Sequence, residues 1–191
     1  MLIKTIPVGQ LETNCYIVTN EETLECVVID PGDDCTLIMD YIEDNKLKCV
    51  AIFITHGHFD HVGAVESLHE ETNAATYINE RDGAFPFSKN YDDGDIINAA
   101  GMDFSIIATP GHTKGGVTIM VEDALFTGDT LFKGSCGRTD LEGGDMEELM
   151  NSLNKLCQIE GEYEVYPGHM DSTSLIREKT LNFYCRKAMH Q

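Results

Sequence analysis

Thr55-His56-Gly57-His58-Phe59-Asp60-His61 decides how this chain is read. It places three imidazoles and a carboxylate between positions 56 and 61. Residues 50–54, just before it, form a short apolar run typical of a strand buried on both faces. Val62, Val65 and Leu68 follow at helical spacing, so a helix starts at or just after the motif. Alternate residues of an extended segment point to one side, which turns His56 and His58 toward one ion. Asp60 and His61, where the chain bends into the helix, face a second. Imidazole plus carboxylate suits zinc, and also iron or manganese. Burying these groups together with no cation would carry a heavy desolvation penalty.

Similar settings recur outward from this motif. Thr109-Pro110-Gly111-His112-Thr113, Phe126-Thr127-Gly128-Asp129-Thr130 and Tyr166-Pro167-Gly168-His169 each put one ligand-type side chain next to glycine. Strands are expected at 2–8, 15–19, 26–29, 50–54, 104–108, 116–121, 124–126 and 164–166. A helix follows Asp33 or Asp34 as N-cap, with Leu37, Ile38, Tyr41 and Ile42 on one face. Asp145 and Glu148 give a capping-box signature ahead of a stripe of Met146, Leu149, Met150, Leu153 and Cys157. A last helix spans 174–187. Residues 79–95 lack a period and read as a long loop, with Phe85, Phe87 and Tyr91 packed in it. Strands grouped before and between helices imply two sheets, or one mixed sheet, with helices outside. His69 and His190 read as ordinary histidines.

The chain has 191 residues, which favours one domain. With 33 acidic and 13 basic residues its net charge is −20, which argues against nucleic-acid and anionic-lipid partners. No apolar run is long enough for a membrane span or a signal peptide, so a soluble cytoplasmic protein is expected. Seven cysteines, at 15, 26, 35, 49, 136, 157 and 185, form no C-x-x-C pair and suggest neither a disulfide framework nor a zinc knuckle.

The motifs THGHFDH (55–61), TPGHT (109–113), FTGDTLF (126–132), GSCGRTD (134–140) and YPGHM (166–170) resemble the metallo-β-lactamase-fold superfamily. The likeness is strongest to its small glyoxalase II-like hydrolases. It spans nearly the whole chain and implies an α/β fold, a four-layer αββα sandwich with metals at one edge of the two sheets. A single domain over 1–191 is expected; full-length glyoxalase II also carries a C-terminal glutathione-binding helical domain, and its expected absence here is a departure from that pattern. The likeness assigns His56, His58 and His112 to a first divalent ion, Asp60, His61 and His169 to a second, and Asp129 as the bridge. Many relatives carry glycine after the last histidine, whereas Met170-Asp171 stands here.

The activity implied is hydrolysis of a small acyl thioester, S-lactoylglutathione or a related thiol ester, by a metal-bridging hydroxide that Asp60 helps to aim. No separate general acid stands near the motifs, which favours a leaving group that departs as an anion. Two dications, two aspartates and one hydroxide sum to about +1, which suits an anionic substrate. Lys114, Lys133 and Arg138 adjoin ligand segments, and Arg138 is the leading substrate contact. Asp30, in Asp30-Pro31-Gly32, is either a support for a ligand or a plain turn residue. Cys136 reads as a packed thiol. The alternative is a persulfide dioxygenase of the same fold, with one iron on His56, His112 and Asp129. A lactamase, a tRNA-processing nuclease and a ligand-free scaffold rank lower.

Overall fold

The computed structural model describes residues 1–190. The strands β1 (Leu2–Val8), β2 (Thr13–Thr19), β3 (Glu25–Ile29), β4 (Lys48–Phe53), β5 (Ala75–Tyr77) and β6 (Ser88–Lys89) lie side by side in chain order as one sheet. The other large sheet is built from β7 (Ile96–Ala99), β8 (Met102–Ala108), β9 (Val117–Val121), β10 (Ala124–Gly128), β13 (Glu164–Pro167) and β14 (Thr173–Ser174). Its order is β14-β13-β10-β9-β8-β7. A small ribbon pairs β11 (Leu131–Phe132) with β12 (Ser135–Cys136). The helices are α1 (Cys35–Asp44), α2 (Phe59–Val62), α3 (Val65–Thr72), α4 (Met146–Cys157), α5 (Leu175–Leu181) and α6 (Phe183–Ala188).

The period of two along the strands sorts the apolar residues into layers. Tyr16, Val18, Val27 and Ile29 meet Phe104, Ile106, Ile119 and Phe126 between the sheets. Their alternates Cys15, Ile17, Cys26 and Val28 pack with Ile38 and Ile42 of α1 and with Val65 and Leu68 of α3. On the far side, Leu125 and Val165 pack with Met150 and Leu153 of α4 and with Leu175 and Cys185. Three apolar layers between helices, sheet, sheet and helices make the expected αββα sandwich. Phe53 and Phe104 join the two sheets with ring centroids 5.0 Å apart. Truncating either to Ala should cost roughly 3–5 kcal/mol.

Strand direction places the loops. β3, β4 and β5 are mutually parallel. β10 and β13 are parallel, and β8 runs with them because β9 is antiparallel to both its neighbours. The C-terminal ends of β3, β4, β8, β10 and β13 therefore deliver Asp30, the 55–61 motif, His112, Asp129 and His169 to one edge. Two backbone bonds close that edge: Val117 N–H donates to Thr55 O at 2.9 Å, and Asn14 N–H to Gly168 O at 2.8 Å.

Several elements depart from expectation for identifiable reasons. The helix after the motif is split into α2 and α3, and Ala64 N–H donates to Pro31 O at the break. The terminal helix is interrupted at Asn182, which is extended and fully buried. Its Oδ1 caps α6, while its Nδ2 donates to Ser135 O and Glu178 Oε2, both at 2.9 Å. Asp34 stands at the α1 N-cap in a left-handed conformation, but its carboxylate accepts from Gly9 N–H instead of capping. Asp145 does cap α4, accepting from the amides of Glu147 and Glu148. Its own N–H donates to Gly111 O at 2.8 Å, so α4 is tied to the His112 loop. Met146, expected in the packed stripe of α4, is exposed. The stretch 79–95 contains β6 and a 3-10 turn, Glu80–Asp82. Tyr91 is fully buried there, its hydroxyl donating to Ile54 O. Among the described residues no helix is long and apolar enough to cross a membrane.

Candidate metal centre

Seven side chains from four loops converge at the shared edge. His56 Nε2 lies 3.1 Å from His58 Nδ1, and His112 Nε2 lies 2.9 Å from the same atom. His169 Nε2 is 3.2 Å and His61 Nε2 is 3.6 Å from Asp60 Oδ2. Asp129 stands between these groups: Oδ2 is 3.4 Å from His112 Nε2, and Oδ1 is 3.6 Å from His61 Nε2. The atoms form ligand-competent sets of His56, His58 and His112, of Asp60, His61 and His169, and of His56, His61 and Asp129. Every side chain named as a ligand in the sequence is thus brought to one place.

Two atoms test whether this cluster fits a cation. His61 Nε2 and Asp129 Oδ1 are buried and have no hydrogen-bond partner. Leaving such polar atoms unpaired in a protein interior costs about 1–3 kcal/mol each. Both face the space between the triads, where an ion would satisfy them. Gly168 lines the same space: a Cβ there would lie 2.3 Å from Asp129 Oδ1 and 2.7 Å from His61 Cε1. Only glycine leaves the carboxylate and ring where they are. Imidazole and carboxylate donors, lone pairs inward, fit divalent cations.

The outward ring nitrogens are held so that the inward ones stay free. His112 Nδ1 donates to Arg138 O at 2.7 Å. His61 Nδ1 donates to Asp30 Oδ2 at 2.9 Å. The Thr55 hydroxyl donates to the same Asp30 oxygen at 2.6 Å and lies 3.2 Å from His56 Nδ1, from which it can accept. A carbonyl or carboxylate beside Nδ1 fixes the tautomer that leaves the Nε2 lone pair for a metal. Asp30 also accepts from Thr55 N–H at 2.7 Å. It is therefore a support for two ligands as well as a turn residue. Gly32, two residues on, is needed because a Cβ would fall 1.6 Å from Asp60 O.

Electrostatics follow from the same contacts. Burial, followed by the neighbouring imidazoles, holds His56 well below the usual imidazole range. Burial opposes a proton on His61 too, but Asp30, Asp129 and Asp60 outweigh it and push this ring up to about 9. His169 is raised chiefly by its hydrogen bond to Asp60. Burial would raise Asp60, yet His169, His61 and the Thr13 hydroxyl hold it below the usual carboxylate range. Thr13 Oγ1 donates to Asp60 Oδ2 at 2.8 Å.

The Metallo-beta-lactamase superfamily matches residues 8–169. The chain belongs to this superfamily. Over 206 residues it is 31% identical to hydroxyacylglutathione hydrolase GloC of Haemophilus influenzae, covering 95% of this chain and 97% of that one. Three solved structures are close in sequence and fold. BLEG-1 B3 metallo-beta-lactamase matches at TM-score 0.90 and 31% identity, covering 96% of this chain and 99% of that one. ETHE1 from Myxococcus xanthus matches at 0.90 and 31%, covering 96% and 84%. TTHA1623 in a di-iron-bound form matches at 0.84 and 32%, covering 95% and 99%. As a metallo-beta-lactamase superfamily member with this His/Asp cluster, the chain is a metal-dependent enzyme of hydrolase type.

Other sequence-marked residues sit as follows. The Arg138 carbonyl touches His112, but its guanidinium points outward onto Asp140, with bonds of 2.6 and 2.7 Å, and is 61% exposed. Lys133 pairs with Asp171 at 3.0 Å. Burial pushes the Cys136 thiol up to about 11, which suits a packed residue. Phe85 and Phe87 pack under the first sheet, and His69 stacks on Phe87 with centroids 3.8 Å apart, away from the centre. Met170 has φ of 70°, a backbone that glycine adopts freely.

Two positioning residues carried no sequence signal. Asp82 accepts from Gly57 N–H (3.1 Å), Thr113 Oγ1 (2.5 Å) and Gly115 N–H (2.6 Å), holding two ligand loops together. Asn14 Nδ2 donates to Pro167 O and Met170 O around His169. Each acts across a long sequence separation, which a motif cannot show.

Proposed function

We propose that this chain is a dinuclear metal-dependent hydrolase of small acyl thioesters, similar in activity to glyoxalase II, with S-lactoylglutathione or a related thiol ester as substrate. The observation that supports it best is the division of six ligand-type side chains into two triads with Asp129 between them. His56, His58 and His112 would hold one ion, Asp60, His61 and His169 the other, and Asp129 both. Zinc is the ion proposed; the likeness to a di-iron form keeps iron as the competitor, with manganese behind it. The ions would supply an activated water and a Lewis acid for the carbonyl.

The chain's own groups set the geometry. Thr13 fixes Asp60, which aims the attacking water by accepting its hydrogen bond. Attack forms a C–O bond at the thioester carbon and breaks the C–S bond. The thiolate leaves with the electron pair and takes up a proton from solvent, so the chain needs no dedicated general acid. Arg138 would contact the carrier only on leaving Asp140, which holds its guanidinium here. Location in the cytoplasm and a purely small-molecule partner belong to the same proposal. The likeness to GloC supports the hydrolase.

The likeness to ETHE1 favours one second reading, the iron dioxygenase on His56, His112 and Asp129. Metal analysis with paired assays separates them. The hydrolase has two ions per chain and releases thiol from S-lactoylglutathione. The dioxygenase has one iron and consumes oxygen with glutathione persulfide.

A further inference from the structure

The two flanks of the metal centre differ in chemistry. On the His58 side, a cavity of about 610 Å³ is bordered by Gly57, His58, Arg81, Asp82, Lys114 and Glu142, among others. On the Asp60 side, a cavity of about 490 Å³ is bordered by Leu11, Phe59 and Asp33 and holds no cation. Leu11 and Phe59 are exposed there. One flank thus offers positive charge, the other apolar surface and a carboxylate.

The cations on the first flank are unspent. In a chain of net charge −20, five of the thirteen basic groups are paired: Lys48 with Glu25, Lys133 with Asp171, Arg138 with Asp140, Lys155 with Asp93, and Arg177 with Glu178. Among the described residues, Arg81 and Lys114 are two of the eight basic groups that enter no ion pair, and they are the two that stand beside His58. Both are exposed, and both border the cavity that opens at His58. Asp82, in the same wall, is turned to Gly57, Thr113 and Gly115, so its lone pairs are used. The amides of Gly57 and Gly115 are consumed by it, so they are not free to cradle a phosphate. What remains is an arginine fork and an ammonium, which suit a carboxylate. Glu142 at the rim opposes them.

We propose that Arg81 and Lys114 form the subsite for a carboxylate of the thiol carrier, on the His58 side of the centre. The acyl group then lies toward Leu11 and Phe59. This specifies the substrate of the proposed hydrolase and rests on that reading, but binding tests it without turnover.

The experiment titrates S-methylglutathione, and its dimethyl ester, into metal-loaded protein by calorimetry. The native protein should bind the diacid more tightly than the ester. Arg81→Ala with Lys114→Ala should weaken diacid binding about tenfold or more and leave the ester unchanged. Arg81→Lys should retain most of the preference, and Glu142→Gln should increase it. Equal binding of diacid and ester by the native protein, or an unchanged preference in the double variant, overturns the subsite. A preference that holds while no thioester is hydrolysed overturns the hydrolase reading alone. Hydrolysis of a neutral thioester with no diacid preference overturns the subsite alone.

Discussion

Asp30 and His61 are joined by a 2.9 Å hydrogen bond, from Nδ1 to Oδ2, although 31 positions separate them. The same oxygen accepts from the Thr55 hydroxyl, which in turn lies against His56 Nδ1. One buried carboxylate thereby orients a ring in each triad. Asp30→Asn removes acceptor capacity without changing shape. It should lower metal affinity roughly 10–100-fold, as losses of such supports do, and Thr55→Val should follow in the same direction. Competition with a chromogenic chelator measures this. Affinity within a factor of two of the native value would sink the relay.

Gly168 should be as intolerant as the ligands themselves. Its Cβ would meet Asp129 Oδ1 at 2.3 Å and His61 Cε1 at 2.7 Å. Gly168→Ala is expected to leave the fold, judged by far-ultraviolet circular dichroism, but to lower bound metal to well under half. Full metal content in the variant would show that the cradle has room to spare.

Removing metal should destabilise the fold, because His61 Nε2 and Asp129 Oδ1 then lose their partner. Saturating metal at 100 times its dissociation constant contributes about 2.7 kcal/mol. Chelation should therefore lower the melting temperature by several degrees, reversibly. An unchanged melting temperature would argue against a resident cation.

Much of this centre was legible in the motifs and some was not. The 55–61 run, the two Pro-Gly-His segments and Asp129 stood at strand ends, and parallel strands bring such ends to one edge. The continuous apolar run at 50–54 announced a strand covered on both faces. Asp30 remained ambiguous between turn and support until the fold set it on His61. Asp82 and Asn14 were silent because their partners are loops far away in sequence. The split terminal helix was also hidden. Asn182 interrupts it in an extended conformation, its Oδ1 capping α6 and its Nδ2 bridging Ser135 and Glu178. Arg138 illustrates a different limit: adjacency to a motif locates the backbone, and the carboxylate two residues on decides where the guanidinium goes.

Glu178 gives a pH-dependent test of the fold. Its enclosed carboxylate accepts from Thr173 Oγ1, Gly134 N–H, Asn182 Nδ2 and Arg177. Burial works against its ionised form, but these donors prevail and hold it below the usual carboxylate range. A depressed pKa contributes stability that is present above the unfolded-state value, about 4.3, and is lost as pH falls through the folded one. Glu178→Gln should destabilise by roughly 1–3 kcal/mol at pH 7 in urea unfolding. The difference from the native protein should shrink toward pH 3. A difference that is constant across that range would mean the charge plays no part.

A two-ion centre that hydrolyses thioesters should reveal itself in thiol release from S-lactoylglutathione during stepwise metal reloading. Little release is expected from chelated protein, with activity climbing to a plateau at two divalent ions per chain. No release at any loading, or a plateau at a single iron with oxygen uptake on a persulfide, would contradict it.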